Sequence, residues 1–414
     1  MPYGSRLAAA MSRRLGRECV YTPSARLALY LALRHWCRPG ARVLMSPVND
    51  DVILFVVLAA GLRPVQAPVS LKDGNIDPAA VPESTWRNVD AVLTTSLYGM
   101  PDRIVELRSR CEQLGIPLFE DAAHAIGTRV DGLPIGTFGT AAAFSLSKHV
   151  AAAAGGFLAV EDARTRRELE RRRDELLAPR SLRADLTATL RPLARSGVRT
   201  LRLVRPVWRT MQRLGMLERD EYRMDLHAPR LAECASRAPG LTAYEPWIRV
   251  DLHGFRTRHG ALVRGQLKMR MDRIDGDLAR RRDGVALLSG TDWASPALRG
   301  RPAGEGPAGE GPHPLFRVPL LVHDRDVLID RLVRHGVVAG YVYDPPLDDY
   351  AGAEFVEPSP DPAAARWFAS HVLPADPLAA RRIIEALTKE QAVTADPPRA
   401  RVAREARAST PLTP

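Results

Sequence analysis

The feature that most constrains the fold is an alternation, through the first 160 residues, of short apolar runs with segments of helical period. Residues 42–47, 63–67, 90–95 and 116–120 are strand-length and apolar. Between them, 50–60 reads as an apolar helix and 102–114 as a helix that stops at Gly115; the segment 24–35, SARLALYLALRH, has helical periodicity ahead of both. Two further apolar runs follow at 141–146 and 157–160. Strands that are apolar throughout need cover on both faces, and helices between them provide it. The expected class is therefore α/β, with a mainly parallel sheet sandwiched by helices.

Beyond residue 160 the pattern changes. Residues 161–177 form a charged helical stretch, and 258–288 a second long one ending in ARRRDGVALL. The repeat GEGPAGEGP at 304–312 reads as a surface loop. After it, 315–322, 325–335 and 337–343 give strand, helix and strand, and 364–368, 371–374 and 378–387 complete a smaller α+β domain. The expected division is a large domain over 1–255, carrying an Arg-rich insert at 176–230, and a small C-terminal domain over 256–390. The tail, 391–414, is rich in Ala, Pro, Arg and Thr and is expected to be disordered.

The longest apolar run, 52–61, is about half of the ~20 residues that a bilayer requires. No basic-then-apolar leader opens the chain, and Cys19, Cys37, Cys111 and Cys234 are scattered without a CxxC pair. These features point to a cytoplasmic protein with reduced thiols and no zinc site. The net charge is +11, yet only Lys72, Lys148, Lys268 and Lys389 among the 59 basic residues are lysine. In a chain that defaults to arginine, each lysine invites a chemical reason, because a guanidinium stays protonated and forms no Schiff base.

The chemistry concentrates in LFEDAAHAIGTRVDGLPIGTFGTAAAFSLSKHVAAAAGG, residues 118–156. Glu120 and Asp121 close an apolar strand, where α/β sheets place ligand sites. A Gly-punctuated excursion returns to a strand ending in Ser145, Ser147 and Lys148, and Gly155-Gly156 opens the next strand. Pyridoxal chemistry needs such parts: a lysine for the Schiff base, a carboxylate to keep the pyridine nitrogen protonated, and hydroxyls and helix-start N–H groups for a phosphate.

This block resembles the DegT/DnrJ/EryC1/StrS aminotransferases, a pyridoxal 5′-phosphate family of the aspartate-aminotransferase fold type (fold type I). EDAAHAIG at 120–127, the glycines 132, 136 and 139, and FSLSKHVAAAAGG at 144–156 fall in register with the family's pattern. YGMPD at 98–102 is similar to its YGxPxD turn, SARLALYLAL at 24–33 to its phosphate-binding helix, and 315–347 to its C-terminal domain. The resemblance implies that Lys148 carries the cofactor, that Asp121 pairs with the pyridine nitrogen, and that His124 lies against the ring or its 3′-oxygen. It also implies that Ser24, the N–H of Ala25, and Ser145 bind the phosphate. The spacing between FSL and Lys148 is two residues shorter than the family's, so Ser147 competes with Ser145 for that role. The resemblance further implies a homodimer.

The chain departs from the family in several places. The ring-stacking aromatic belongs near Asp50 and Asp51, where the nearest candidate is Phe55. The family's Gly-Tyr-Asn, which reaches the neighbouring subunit's phosphate, is here Gly254-Phe255-Arg256, and Thr140 replaces an Asp. Between Leu176 and Leu217, nine arginines stand against Asp185 alone. They interleave with apolar residues at helical spacing, a pattern suited to an anionic partner: a nucleotide diphosphate, an acidic carrier protein or a membrane surface. No nucleic-acid recognition motif accompanies the charge.

The expected function is pyridoxal-phosphate-dependent transamination of a keto substrate, a nucleotide-linked keto sugar or related natural-product intermediate, with an amino donor such as glutamate. The alternatives are a pyridoxal enzyme of another reaction type (elimination or carbon–carbon bond formation) and a degenerate member acting as a binding partner.

Overall fold

Seven strands make one sheet in the computed structural model, which describes residues 3–149, 154–180, 185, 223–249, 254–299, 312–340 and 342–398. They are β1 (Glu18–Thr22), β2 (Arg42–Met45), β3 (Arg63–Gln66), β4 (Ala91–Thr95), β5 (Leu118–Asp121), β6 (Ala141–Ser145) and β7 (Gly156–Val160). Their spatial order is β1-β7-β6-β5-β4-β2-β3. The five strands β3, β2, β4, β5 and β6 run parallel; β7 is antiparallel to both β6 and β1.

The apolar runs divide their side chains between two cores with the two-residue period of a strand. Val43, Met45, Leu93 and Phe119 face helices α1 (Ala25–Trp36) and α2 (Asp51–Ala59). Leu44, Val92 and Leu118 face the opposite layer, with Ile104 and Leu107 of α3 (Ile104–Leu114) and Leu7 and Met11 of an N-terminal helix, Ser5–Leu15. Helix α2, DVILFVVLA, is apolar on every side and nearly all of it is buried, which explains why it carries no polar stripe.

The C-terminal part has its own antiparallel pair, β8 (Val318–Leu321) with β9 (Val372–Ala375). Around it pack α5 (Arg325–Arg334), α6 (Pro362–His371) and α7 (Ala380–Lys389). Helix α4 (Ile274–Ser289) joins the two parts. Its Ile274 and Leu278 belong to the sheet's core, and its Val285 and Leu288 to the core around β8.

Several expectations need correction. The helical pattern over 258–288 is two helices, Ala261–Met271 and α4, separated at Asp272-Arg273. The segment 337–343 pairs with no strand among its described residues. Val337 is drawn into the small core, while Tyr343 stacks on Tyr98, so no alternating face forms. The tail expected to be disordered from 391 is described as far as residue 398, and residues 393–395 lie against the end of β8 and the residues that follow it. Ala395 N–H donates to Leu321 O at 3.0 Å, Trp293 Nε1 donates to Ala392 O at 2.8 Å, and Ala395 is fully buried. Neither β1 nor the helix Ser5–Leu15 was expected from the sequence. Residues 181–184 and 186–222 of the Arg-rich insert, 304–311 of the Gly/Pro repeat and 399–414 lie outside the described residues. No described helix is long and apolar enough to cross a membrane.

Candidate active site

The parallel strands end on one edge, and the loops leaving that edge build a single pocket. Asn49 and Asp50 follow β2, Thr95 ends β4, Asp121 ends β5, and Ser145 ends β6. Lys148 sits on the short turn of helix Leu146–His149 directly after β6. Ser24, Ala25 and Arg26 bring in the start of α1. All seven residues nominated from the sequence (Ser24, Ala25, Asp121, His124, Ser145, Ser147 and Lys148) line this pocket.

The acidic pair splits into two jobs. Glu120 points away from the pocket and accepts N–H bonds from Gly136 (2.7 Å), Phe138 (2.9 Å) and Gly139 (2.6 Å). Arg17 closes the same loop from the other side, donating to the carbonyls of Gly136 and Gly139, both at 2.9 Å. The glycine excursion is thus clasped around a buried carboxylate. Asp121 faces the pocket, where its Oδ1 accepts the Ala123 N–H at 3.1 Å. Burial pushes its carboxyl up to about 6; the Ala123 bond pulls the value down, Asp50 adds to the rise, and Lys148 opposes it.

His124 is buried, and burial first, then the charge of Lys148, holds its imidazole well below the ordinary range, so the ring is neutral. It stacks on Phe316, centroids 4.7 Å apart and planes at 27°. The same phenyl ring takes Lys148 Nζ at 5.5 Å, Arg281 at 5.5 Å and Arg317 at 4.3 Å from its centroid. Phe316 N–H donates to Tyr98 O at 2.9 Å. That bond ties the segment before β8 to the YGMPD turn, where Tyr98 has φ 58° and Gly99 φ 97°. A Cβ on Gly99 would lie 2.6 Å from His124 O and 3.0 Å from Phe316 N, so only glycine lets this turn approach.

At the other end, Ser24 is the N-cap of α1: its Oγ accepts the Leu27 N–H at 3.3 Å and donates to Phe255 O at 2.7 Å. The hydroxyl is therefore committed to the fold as well as to the pocket wall. Ser145 and Ser147 bond to each other at 2.9 Å, which keeps both hydroxyls at one spot. A Cβ on Gly156 would come within 2.5 Å of the Ala25 nitrogen; the glycine makes room for the helix start.

The donor set fits pyridoxal phosphate. One wall offers an amine beside a carboxylate whose pKa burial raises, a cost that a protonated pyridine nitrogen would offset. The far end offers hydroxyls and first-turn N–H groups of α1 that have no carbonyl partner within the helix.

Phe55, the candidate stacking aromatic, is not in the pocket; it stacks on Trp247 in the core, centroids 5.7 Å apart. The wall at that point is Asn49, Asp50, Val52 and Ile53. Gly254 and Phe255 line the pocket of their own chain, and Arg256 is paired with Glu245 at 3.0 Å. Asn49, Asp50 and Thr95 were not nominated from the sequence, although the strand-end rule covers them. Phe316 and Tyr343 come from distant segments and had no local signal.

The fold is fold type I, the fold of the solved aminotransferases that the chain is similar to. Residues 2–176, somewhat under half of the chain, match the model of the DegT/DnrJ/EryC1/StrS aminotransferase family. The spore coat polysaccharide biosynthesis protein SpsC of Bacillus subtilis (strain 168) is 30% identical over 149 residues, covering 35% of this chain and 38% of that one. GDP-perosamine synthase of Vibrio cholerae is 32% identical over 135 residues, 32% of this chain and 37% of its own. The chain thus matches little more than a third of the length of these curated relatives. Along nearly its whole length it is similar to the solved aminotransferase TlmJ of Streptoalloteichus hindustanus: TM-score 0.63 at 18% identity, covering 94% of this chain and 92% of that one.

Proposed function

We propose that the protein is a pyridoxal-phosphate-dependent aminotransferase that acts on a keto substrate through Lys148. The observation that carries this reading is the convergence of Lys148, Asp121 and His124 with the start of α1 in one pocket at the strand ends. Bound there, the cofactor supplies an aldehyde that condenses with amines and a ring that withdraws electrons. Asp121 would hold the proton on the ring nitrogen. Lys148 Nζ, displaced by an amino donor, would take the proton from the donor's α-carbon and return it when the keto substrate is aminated. His124, neutral and fixed by Phe316, would lie against the ring without adding charge.

The substrate proposed is a nucleotide-linked keto sugar or a related intermediate, a choice supported by the sequence likeness to GDP-perosamine synthase. A cytoplasmic homodimer belongs to the same reading. The four cysteines, all buried and unpaired, accord with a reducing compartment. The arginines of the insert are assigned to an anionic partner on their charge pattern alone.

Borohydride reduction of the cofactor-loaded protein followed by peptide mapping should place the label on Lys148, and Lys148→Ala should fold and take no label. Label on Lys72, Lys268 or Lys389 would refute the site. An amino donor alone should convert the cofactor to its pyridoxamine form and release one equivalent of a 2-keto acid. Product formation without that conversion would instead mark an elimination or bond-forming enzyme.

A further inference from the structure

Resting on the active-site reading of the pocket, we infer that Arg223, from the end of the Arg-rich insert, is a positioning residue. It fixes two parts of the pocket wall relative to each other: Asn49 and Asp50 after β2, and Tyr343 beyond α5.

The two parts come from distant stretches of chain, and both line the pocket. Arg223 touches both and is buried, 6% exposed. Its Nη1 donates to Asn49 O at 2.6 Å and its Nε to Pro345 O at 2.8 Å. The guanidinium also lies 5.9 Å from the ring centroid of Tyr343 and 5.5 Å from that of Tyr350. The next residue repeats the pattern. Met224 N–H donates to Asp51 Oδ2 at 2.8 Å, and Met224 O accepts the Tyr350 hydroxyl at 2.8 Å. Residues 223–224 thus clasp the loop between β2 and α2 on one side and residues 343–350 on the other. A guanidinium suits the task, because one planar fork can reach two carbonyls at once.

Burying that cation is costly, and the carboxylates of Asp51 and Asp50 lie near enough to oppose the cost. The two segments also meet without Arg223, since Leu347 N–H donates to Pro47 O at 2.8 Å. What Arg223 adds is the placement of the Asn49 carbonyl and the Tyr343 ring. Its hydrogen bonds go to neither Lys148 nor Asp121, so losing them should leave the cofactor's attachment intact.

The test uses pyridoxal phosphate as its probe and compares Arg223→Gln, Arg223→Lys and Tyr350→Phe with wild type. Hydrogen–deuterium exchange, absorbance titration and the visible circular dichroism of the bound cofactor are measured. In Arg223→Gln, backbone exchange over 46–53 and 343–351 should speed up about ten-fold or more, the scale of one hydrogen bond to a charged group. Exchange over 104–114 and 372–375 should match wild type. Cofactor affinity should stay within about three-fold of wild type, but the dichroic band should change, because the wall around the cofactor has moved. Arg223→Lys, which keeps the charge without the fork, should fall between the two. Tyr350→Phe should loosen 343–351 by removing the bond to Met224. Exchange raised equally everywhere, or a wild-type dichroic band in Arg223→Gln, would make Arg223 a general stabiliser and overturn the inference. A large loss of cofactor affinity would overturn it too, by placing Arg223 behind the cofactor's attachment. If the glutamine variant does not fold, the lysine and phenylalanine variants decide by the same readouts. Wild type that binds no pyridoxal phosphate would overturn the cofactor reading, while exchange measured without cofactor would still decide the clasp.

Discussion

Glu120 and Asp121 are adjacent carboxylates with unlike surroundings, and the difference assigns their roles. Glu120 accepts three backbone N–H bonds and faces a loop; Asp121 accepts one and faces the pocket. Three backbone hydrogen bonds oppose the cost of burying Glu120, whereas one opposes it at Asp121, where a protonated ring nitrogen would offset it further. Asp121→Asn should therefore still accept the cofactor on Lys148 but lose the protonated ring. Proton abstraction from an amino donor should slow on the order of 10²-fold or more, the scale of a lost electrostatic contact in a transition state. Stopped-flow measurement of the first half-reaction checks this. An unaltered rate would reduce Asp121 to a turn residue. The strand-end location of the pair was legible in the sequence. Which carboxylate turns inward was not a matter of spacing alone, since it depends on where the Gly136–Gly139 loop closes.

At the scale of elements, the parallel strands were legible because each is an uninterrupted apolar run between helices. β1 was not: ECVYT is short and ends in Thr22, and its partner β7 lies far along the chain. The pocket's near wall, formed by residues after consecutive strands, follows from the sheet order; its far wall does not. Phe316 reaches the site because the segment before β8 docks on Tyr98, and Tyr343 because it stacks on the same tyrosine, both contacts between residues more than two hundred positions apart. The Glu120 clasp makes a prediction at this scale. Glu120→Ala would leave three N–H groups of the glycine loop without their acceptor, each costing about 1–3 kcal/mol when buried. Urea unfolding should show a loss of about 3 kcal/mol or more. Glu120→Gln, which retains a carbonyl oxygen, should lose less. A loss under about 1 kcal/mol in the alanine variant would mean that water or Arg17 satisfies the loop without Glu120.

At the scale of the whole molecule, helix α4 couples the sheet to the small C-terminal core and both to the pocket. Arg281, midway along it, donates from Nη1 to Phe316 O at 3.1 Å and from Nη2 to Lys148 O at 3.4 Å. Two glycines on this helix separate local propensity from docking. Gly276 is exposed and nothing lies within 4 Å of an added Cβ, so Gly276→Ala should stabilise the protein by up to ~1 kcal/mol through helix propensity. Gly284 is buried against the turn before α7, where an added Cβ would overlap the carbonyl of Pro377. The same propensity gain applies there, but a backbone carbonyl cannot swing aside as a flexible side chain does, and overpacking typically costs about 1–3 kcal/mol. Overpacking should win, and the displaced helix should carry Arg281 away from Phe316 and Lys148. Gly284→Ala is thus expected to lower the urea midpoint and weaken pyridoxal phosphate binding together. Gly276→Ala should raise the midpoint and leave binding unchanged. If both substitutions shifted stability in the same direction, or if Gly284→Ala lost stability with binding intact, α4 would not be the element that links the small domain to the site.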